Sequence, residues 1–304
     1  MPIRICLAIV LAATVATPLA AAIRATPATP ATLAAVLAGA RGGATIHLAP
    51  GDYTAIELRG RQWTPPLTIE ADEAHITSVQ LRAVSGLTWR GGRFDGGDTV
   101  RSGFNVAGGD HIIIDGTAMA HYLRNGIGLG SVSDARVINN HFTDMGSDGI
   151  DIGLSRRVVV DHNDCRSTHP TPGAHPDCVQ LWSRPSEPPS ADIAITNNQA
   201  EGDTQGFTAF NHVRDGVDDG GFDRITVENN VARVGSYHGV TVMDCRHCSV
   251  RNNRVETQPD PLNPKIRAWI KVVRGSDTVA CGNVAKDFPG ADGSERCRAD
   301  PVSR

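Results

Sequence analysis

Beyond its first 22 residues the chain has no apolar run long enough to span a bilayer, which excludes helical membrane spans from the rest of it. It also lacks an excess of positive charge. Twenty-nine Lys and Arg face 33 Asp and Glu, for a formal charge of −4. That balance argues against nucleic acid as a partner, and any attraction to an acidic polymer must be local. No consensus metal loop is present. Asp215-Gly216-Val217-Asp218-Asp219-Gly220 has the composition of a calcium loop without the order of its ligands. Cys245-Arg246-His247-Cys248 has redox or zinc spacing, but it falls on a strand-like unit and not at a helix start, so neither role is adopted.

What is there begins with a leader. Arg4, an apolar core over residues 7–16 and small residues at 18–22 have the layout of a secretory signal cleaved before Ile23. The expected mature protein is secreted or periplasmic, free of the membrane and monomeric. Cys6 leaves with the leader. Cys165, Cys178, Cys245, Cys248, Cys281 and Cys297 remain, an even set that in an exported chain predicts disulfides without fixing their pairing.

The dominant pattern is a ladder of asparagines, each after a short β-branched stretch. It reads Val137-Ile138-Asn139-Asn140, Val160-Asp161-His162-Asn163, Ile195-Thr196-Asn197-Asn198, Val227-Glu228-Asn229-Asn230, Val250-Arg251-Asn252-Asn253 and Val279-Ala280-Cys281-Gly282-Asn283. The last asparagines lie 23, 35, 32, 23 and 30 residues apart. A unit of just over twenty residues with insertions is a solenoid, and Val/Ile-rich rungs make it a solenoid of strands. Asparagine suits a left-handed corner and can hydrogen-bond along a stack. Leu87-Thr88-Trp89-Arg90-Gly91-Gly92 and Ile112-Ile113-Ile114-Asp115-Gly116 continue the register upstream. The prediction is an all-β, single-stranded, right-handed parallel β-helix of about ten coils, roughly 45 Å long at the strand spacing of about 4.8 Å. Residues 1–22 are the leader, 23–43 a flexible lead-in and a capping helix starting at Thr32, 44–285 the solenoid, and 286–304 a C-terminal cap or tail.

Aligning the strands before each corner gives two columns. Period-two alternation sends the residue between two inward apolar residues outward, giving Gly128, Asp151, Gln180, Thr208, Thr241 and Lys271. The bend just before the strand gives Asn125, Asp148, Asp177, Gln205 and His238. Proline-stiffened insertions at 167–176 and 183–190 border the same face, and insertions in solenoids mark binding faces. The expectation is an exposed groove in which Asp148, Asp151, Asp177, His238 and Lys271 carry the chemistry. His175, Gln180, Trp182, Gln205, Thr241 and Arg274 contact substrate.

The arrangement resembles the pectin-lyase-like superfamily of right-handed β-helices, which contains polysaccharide lyases and polygalacturonase-type hydrolases. Polygalacturonases carry Asn-Thr-Asp-Gly-x-Asp, Asp-Asp-Cys, Gly-His-Gly and Arg-Ile-Lys on successive strands. The chain has Gly146-Ser147-Asp148-Gly149-Ile150-Asp151, Pro176-Asp177-Cys178, Tyr237-His238-Gly239 and Trp269-Ile270-Lys271 in that order. Pro176 stands where the hydrolases have a catalytic Asp, and an extra coil with Gln205 intervenes. The resemblance implies a polysaccharide substrate, with three readings left open. In a lyase acting on a uronate polymer, Asp148, Asp151 and Asp177 hold Ca²⁺ to neutralise the sugar carboxylate, while His175, His238, Lys271 or Arg274 serves as base or clamp. In a hydrolase, Asp148 and Asp177 are acid and base. The third is a non-catalytic glycan-binding surface protein. The lyase is narrowly preferred, because cations accompany the carboxylates and one hydrolase Asp is missing.

Overall fold

The computed structural model describes residues 25–288 except 169, 186–187 and 260–263. The leader, residues 289–304 and Cys297 lie outside the described residues. Short β-branched stretches punctuated by left-handed corners can only pair with their copies in the next coil, and they do. Ten strands, one per coil, form one sheet in chain order from Gly51–Tyr53 to Val284–Ala285, each pair parallel. The other faces of the coils make a second, nineteen-stranded sheet, in which Val79–Arg90 and Ser102–Asp115 run unbroken from one face to the next. The fold is a parallel β-helix, with one short α-helix among the described residues.

That helix, Leu33–Gly39, buries Leu33 and Leu37 against the first coils. Thr32 does not cap it: its hydroxyl instead accepts the backbone N–H of Thr29 at 2.9 Å. The lead-in is also more ordered than expected. Thr26–Ala28 pairs in parallel with Thr45–Leu48, so an additional rung precedes the helix.

The corner asparagines divide two tasks that the sequence reading assigned to one residue. The first of each pair takes the left-handed backbone, as in Asn139 (φ 56°), His162 (φ 55°), Asn197 (φ 56°) and Asn252 (φ 55°). The second turns inward and forms the ladder. Asn163 Oδ1 accepts both the backbone N–H and Nδ2 of Asn140, at 3.0 and 2.9 Å. Asn198, Asn230, Asn253 and Asn283 repeat this on each following coil. Thr117 starts the column by donating its N–H and hydroxyl to Asn140 Oδ1. All of these side chains are buried, so each amide satisfies groups that water cannot reach.

Ile150, Ile152, Val160, Val179, Leu181, Ile195, Val227, Val240, Val242, Val250 and Ile270 point inward as expected. Ile138 does not: it is half-buried next to the corner, and Val137 fills the core in its place. Inside the early coils Trp89, Phe94 and Phe104 pack with ring centroids 5.6 to 6.2 Å apart.

Candidate functional site

The outward column is in register across six coils. Gly128, Asp151, Gln180, Thr208, Thr241 and Lys271 are successive cross-strand partners. A second outward column two residues on reads Gly130, Gly153, Trp182 and Phe210. Phe210 and the apolar character of this column were missed, because the sequence reading followed only one outward position per strand.

The bend column departs from the expectation of an exposed carboxylate cluster. Asp148 and Asp177 lie on adjacent coils, but both are buried, at 4% and 1% exposure. A bend interrupts the period-two alternation and turns these side chains into the wall. Asp148 Oδ1 accepts the backbone N–H of Asp177 at 2.9 Å. Asp177 Oδ1 accepts the Thr208 hydroxyl at 2.7 Å, and its Oδ2 accepts Gln180 Nε2 at 3.0 Å. Burial raises both carboxyls above the usual range. The neighbouring Asp177 and Asp151 push Asp148 further up, while His175 and Thr208 hold Asp177 down. Asp151 sits one coil before Gln180 at 8% exposure, with Oδ1 buried and without a hydrogen-bond partner. Burial raises its carboxyl too, against the Trp182 indole and the charge of Arg124.

His175 completes the buried pair. Its side chain is 64% exposed, and its Nδ1 lies 3.5 Å from Oδ2 of Asp177, whose own side chain is fully buried. The hydrogen bond to Asp177 holds the imidazole up at about 8. The loop carrying it is fastened at both ends. The Cys165–Cys178 disulfide brackets it. Thr171 bonds back to the Gly146 carbonyl through its N–H at 2.8 Å and its hydroxyl at 3.2 Å. The Pro176 carbonyl accepts the N–H of Gln205 and the hydroxyl of Thr204. Gln205 itself is half-buried, its Oε1 enclosed without a partner.

Two coils beyond Asp177, His238 meets Phe210 and Trp269 edge-on, each at 5.2 Å between centroids. Its Nδ1 is 3.0 Å from Thr241 Oγ1, which also accepts the Trp269 indole N–H at 3.1 Å. Burial, then the charges of Lys271 and His175, lower the His238 pKa. Lys271 Nζ stands 3.4 Å from the Trp269 ring centroid, and Tyr237 stacks on that indole at 5.1 Å. Trp182 is likewise occupied, with the Arg184 guanidinium 4.7 Å over its ring. Arg274 is engaged elsewhere: it forms a two-pronged ion pair with Asp244 at 2.7 and 2.6 Å at the strand exits, so the role of free clamp expected for it does not fit.

The Ca²⁺ reading fares no better on the donor set. Among the described residues no three of His, Cys, Asp and Glu converge as a metal requires. The oxygens of Asp177 are taken by Thr208, Gln180 and His175, and Asp148 is driven toward its neutral form. These residues do not fit the ion.

A cavity of about 430 Å³ opens on the N-terminal side of this cluster, between Arg101, Arg124, Asn125, Asp151, Trp182 and Arg184. The arginines were missed because the outward column was not followed upstream of Asn125.

The sequence matches the family described as "Right handed beta helix region" over residues 77–280, and the chain belongs to that family. Its fold is a right-handed parallel β-helix. No curated protein matches the sequence. Among solved structures, an alginate lyase from Paenibacillus sp. str. FPU-7 is similar, with TM-score 0.50 and 15% identity over 84% of this chain and 96% of that one. The PL6 family alginate lyase AlyGC matches with TM-score 0.59 and 14% identity, over 84% of this chain and 38% of that one. At such identities the likeness is one of fold.

Proposed function

We propose that this is an exported, carbohydrate-active β-helix enzyme that cleaves an acidic polysaccharide by β-elimination. The observation that carries the reading is the pair formed by exposed His175 and buried Asp177. A carboxylate with no access to solvent cannot itself touch a polymer, but it can orient an imidazole that does and keep it protonated. Asp177 is therefore a positioning residue and His175 the reacting one.

The second partner is His238. His175 is pushed up and His238 down, so at neutral pH one imidazole is an acid and the other a base. Their columns are two coils, about 10 Å, apart along the axis. A uronate ring lying between them would lose its C5 proton to neutral His238. The C5–H electrons form the C4=C5 double bond as the C4–O bond breaks. The departing oxygen takes the proton of His175. Lys271 supplies positive charge beside the sugar carboxylate, which makes the C5 proton more acidic. The similarity in fold to two structures titled alginate lyase agrees with this class of reaction.

The hydrolase reading asks Asp148 and Asp177 to reach substrate and is weakened by their burial. The test is incubation of the mature chain with a panel of acidic and neutral polysaccharides, following ultraviolet absorbance of an unsaturated product and reducing ends together. Both rising supports elimination. Reducing ends alone mean hydrolysis, and neither on any glycan that binds means a non-catalytic surface protein. Export rests on the expected leader and, among the described residues, on the disulfides Cys165–Cys178 and Cys245–Cys248. No helix among the described residues is long and apolar enough to cross a membrane.

A further inference from the structure

Arg101 and Arg124 are neighbours on adjacent coils: the backbone N–H of Arg124 donates to the Arg101 carbonyl at 2.9 Å, and the following residues, Ser102 and Asn125, are cross-strand partners. Both side chains are exposed and line the same cavity. Like charges directly opposite one another on paired strands are unfavourable. At four other such positions the chain places Asp opposite Arg: Arg157 with Asp134, Arg224 with Asp192, Arg246 with Asp223 and Arg274 with Asp244; Arg59 and Arg82 are also opposite one another, but Arg59 is paired with Glu57 on its own strand. Among the described residues Arg101, Arg124 and Arg184 have no such carboxylate.

The floor beneath them is built to receive something. Gly128 and Gly130 leave backbone bare. A Cβ on Gly128 would lie 2.8 Å from Asn125 Nδ2 and 3.0 Å from Asn105 Oδ1, so any side chain there would displace the two asparagines that floor the cavity. On the far wall, Trp182 lies against Gly153, where a Cβ would collide with the indole at 2.0 Å, and it carries Arg184 on its ring. Asp151, more than nine-tenths buried, lines the same cavity with an oxygen that no protein group satisfies.

We infer that this cavity is a subsite for a sugar bearing a carboxylate, held by the forks of Arg101, Arg124 and Arg184. Guanidinium matches carboxylate in shape as well as charge, and a volume of about 430 Å³ beside Trp182 admits a sugar ring and not only a simple anion. Arg101 and Arg124 stand three and two coils before His175, and Trp182 and Arg184 reach the cavity from the coil of His175 itself, whereas His238 acts two coils beyond. The acidic sugar it recognises is therefore displaced from the bond that is cut. The enzyme reads charge at one residue of the polymer and breaks the chain at another. This assignment rests on the carbohydrate reading above but not on catalysis.

The test is calorimetric binding to the full mature chain carrying His175→Ala, so that no ligand is consumed. The probes are oligosaccharides of galacturonic, mannuronic, guluronic and glucuronic acid, their carboxyl-reduced counterparts, and sulfated neutral oligosaccharides. At least one uronide should bind, and carboxyl reduction should weaken it. Arg101→Ala with Arg124→Ala should cost at least about tenfold in affinity and abolish the difference between the uronide and its reduced form. Arg101→Lys with Arg124→Lys, which keeps the charge, should recover part of that loss and separates lost recognition from lost folding. The inference is overturned if reduced and acidic forms bind equally, if the arginine variants bind like the parent, or if sulfated neutral sugars bind as tightly as uronides. If uronides bind through the arginines and nothing is ever cleaved, the subsite stands and the lyase reading falls.

Discussion

The backbone N–H of Asp177 donates to Oδ1 of Asp148 at 2.9 Å, so the carboxyl of one coil holds the chain that presents the carboxylate of the next. Asp177 in turn holds His175. A buried line thus runs from Asp148 through Asp177 to an exposed imidazole.

Replacing Asp177 should act through that imidazole. Asp177→Asn keeps the bond from Thr208 and removes the charge that supports His175. Turnover should fall by at least about 10²-fold, as for acid–base groups in general. The alkaline limb of the pH–rate profile, expected near 8, should move toward the ordinary histidine value of 6.5. An unchanged limb in the variant would separate Asp177 from His175.

The parent profile should be a bell. The acid must stay protonated, so rate falls as pH rises through about 8. The base must be neutral, and because the His238 pKa is lowered, rate should persist below 6.5 before it declines. His238→Ala should remove the acid limb. Its survival in that variant would assign the base elsewhere.

Asp148→Asn should stabilise the fold. Burial and the neighbouring carboxyls raise the Asp148 pKa, so the folded chain binds a proton that the unfolded chain releases above 3.8. Folding stability from this group therefore declines as pH rises from 3.8 through the raised value. An asparagine still accepts the Asp177 N–H and carries no charge to desolvate. Its melting temperature should exceed the parent's at pH 8, with the gap closing toward pH 4. A variant equal to or below the parent at pH 8 would show that Asp148 is not strained by burial.

The Cys165–Cys178 disulfide closes the loop that carries His175. Cys165→Ala with Cys178→Ala should lose about 3 kcal/mol, the chain-entropy value for a loop of this order. At temperatures where the variant remains folded, kcat should fall more than KM rises. Full activity in a folded variant would show that Thr171 and Pro176 alone position the imidazole.

Asn198→Ala removes the acceptor for both the N–H and Nδ2 of Asn163 inside the solenoid. Orphaning those donors should cost about 3 kcal/mol in denaturant unfolding. A cost below that of an exposed asparagine would show that the ladder is not structural.

The ladder was legible because stacking makes the same demand at every coil, so the sequence repeats wherever the demand does. The outward column from Gly128 to Lys271 was legible for the same reason, as alternation holds along a straight strand. Alternation fails at a bend, which is why Asp148 and Asp177 were read as exposed when they are walled in. Nor does it say which neighbour a long side chain selects. The capture of Arg274 by Asp244 and the bond from the Trp269 indole to Thr241 depend on coils 28 to 30 residues apart meeting in space. Arg101 escaped notice because its coil turns at Asp115-Gly116, with no asparagine to align it, and Arg124 because it stands one residue before the bend position Asn125.

Every amide in the corner column points the same way, each asparagine giving two protons to the next and taking two from the one before. The column can therefore be shortened by whole coils without a seam. Excision of residues 231–253, a span of 23 from one ladder asparagine to the next, would bring Asn230 against Asn283 and remove both cysteines of the Cys245–Cys248 pair together. His238 would leave with them. The expected product is a cooperatively folding rod one coil shorter, with the arginine cavity intact and the proposed base gone. Architecture and chemistry in this chain are separable by arithmetic: circular dichroism and uronide binding should survive the cut, and turnover should not.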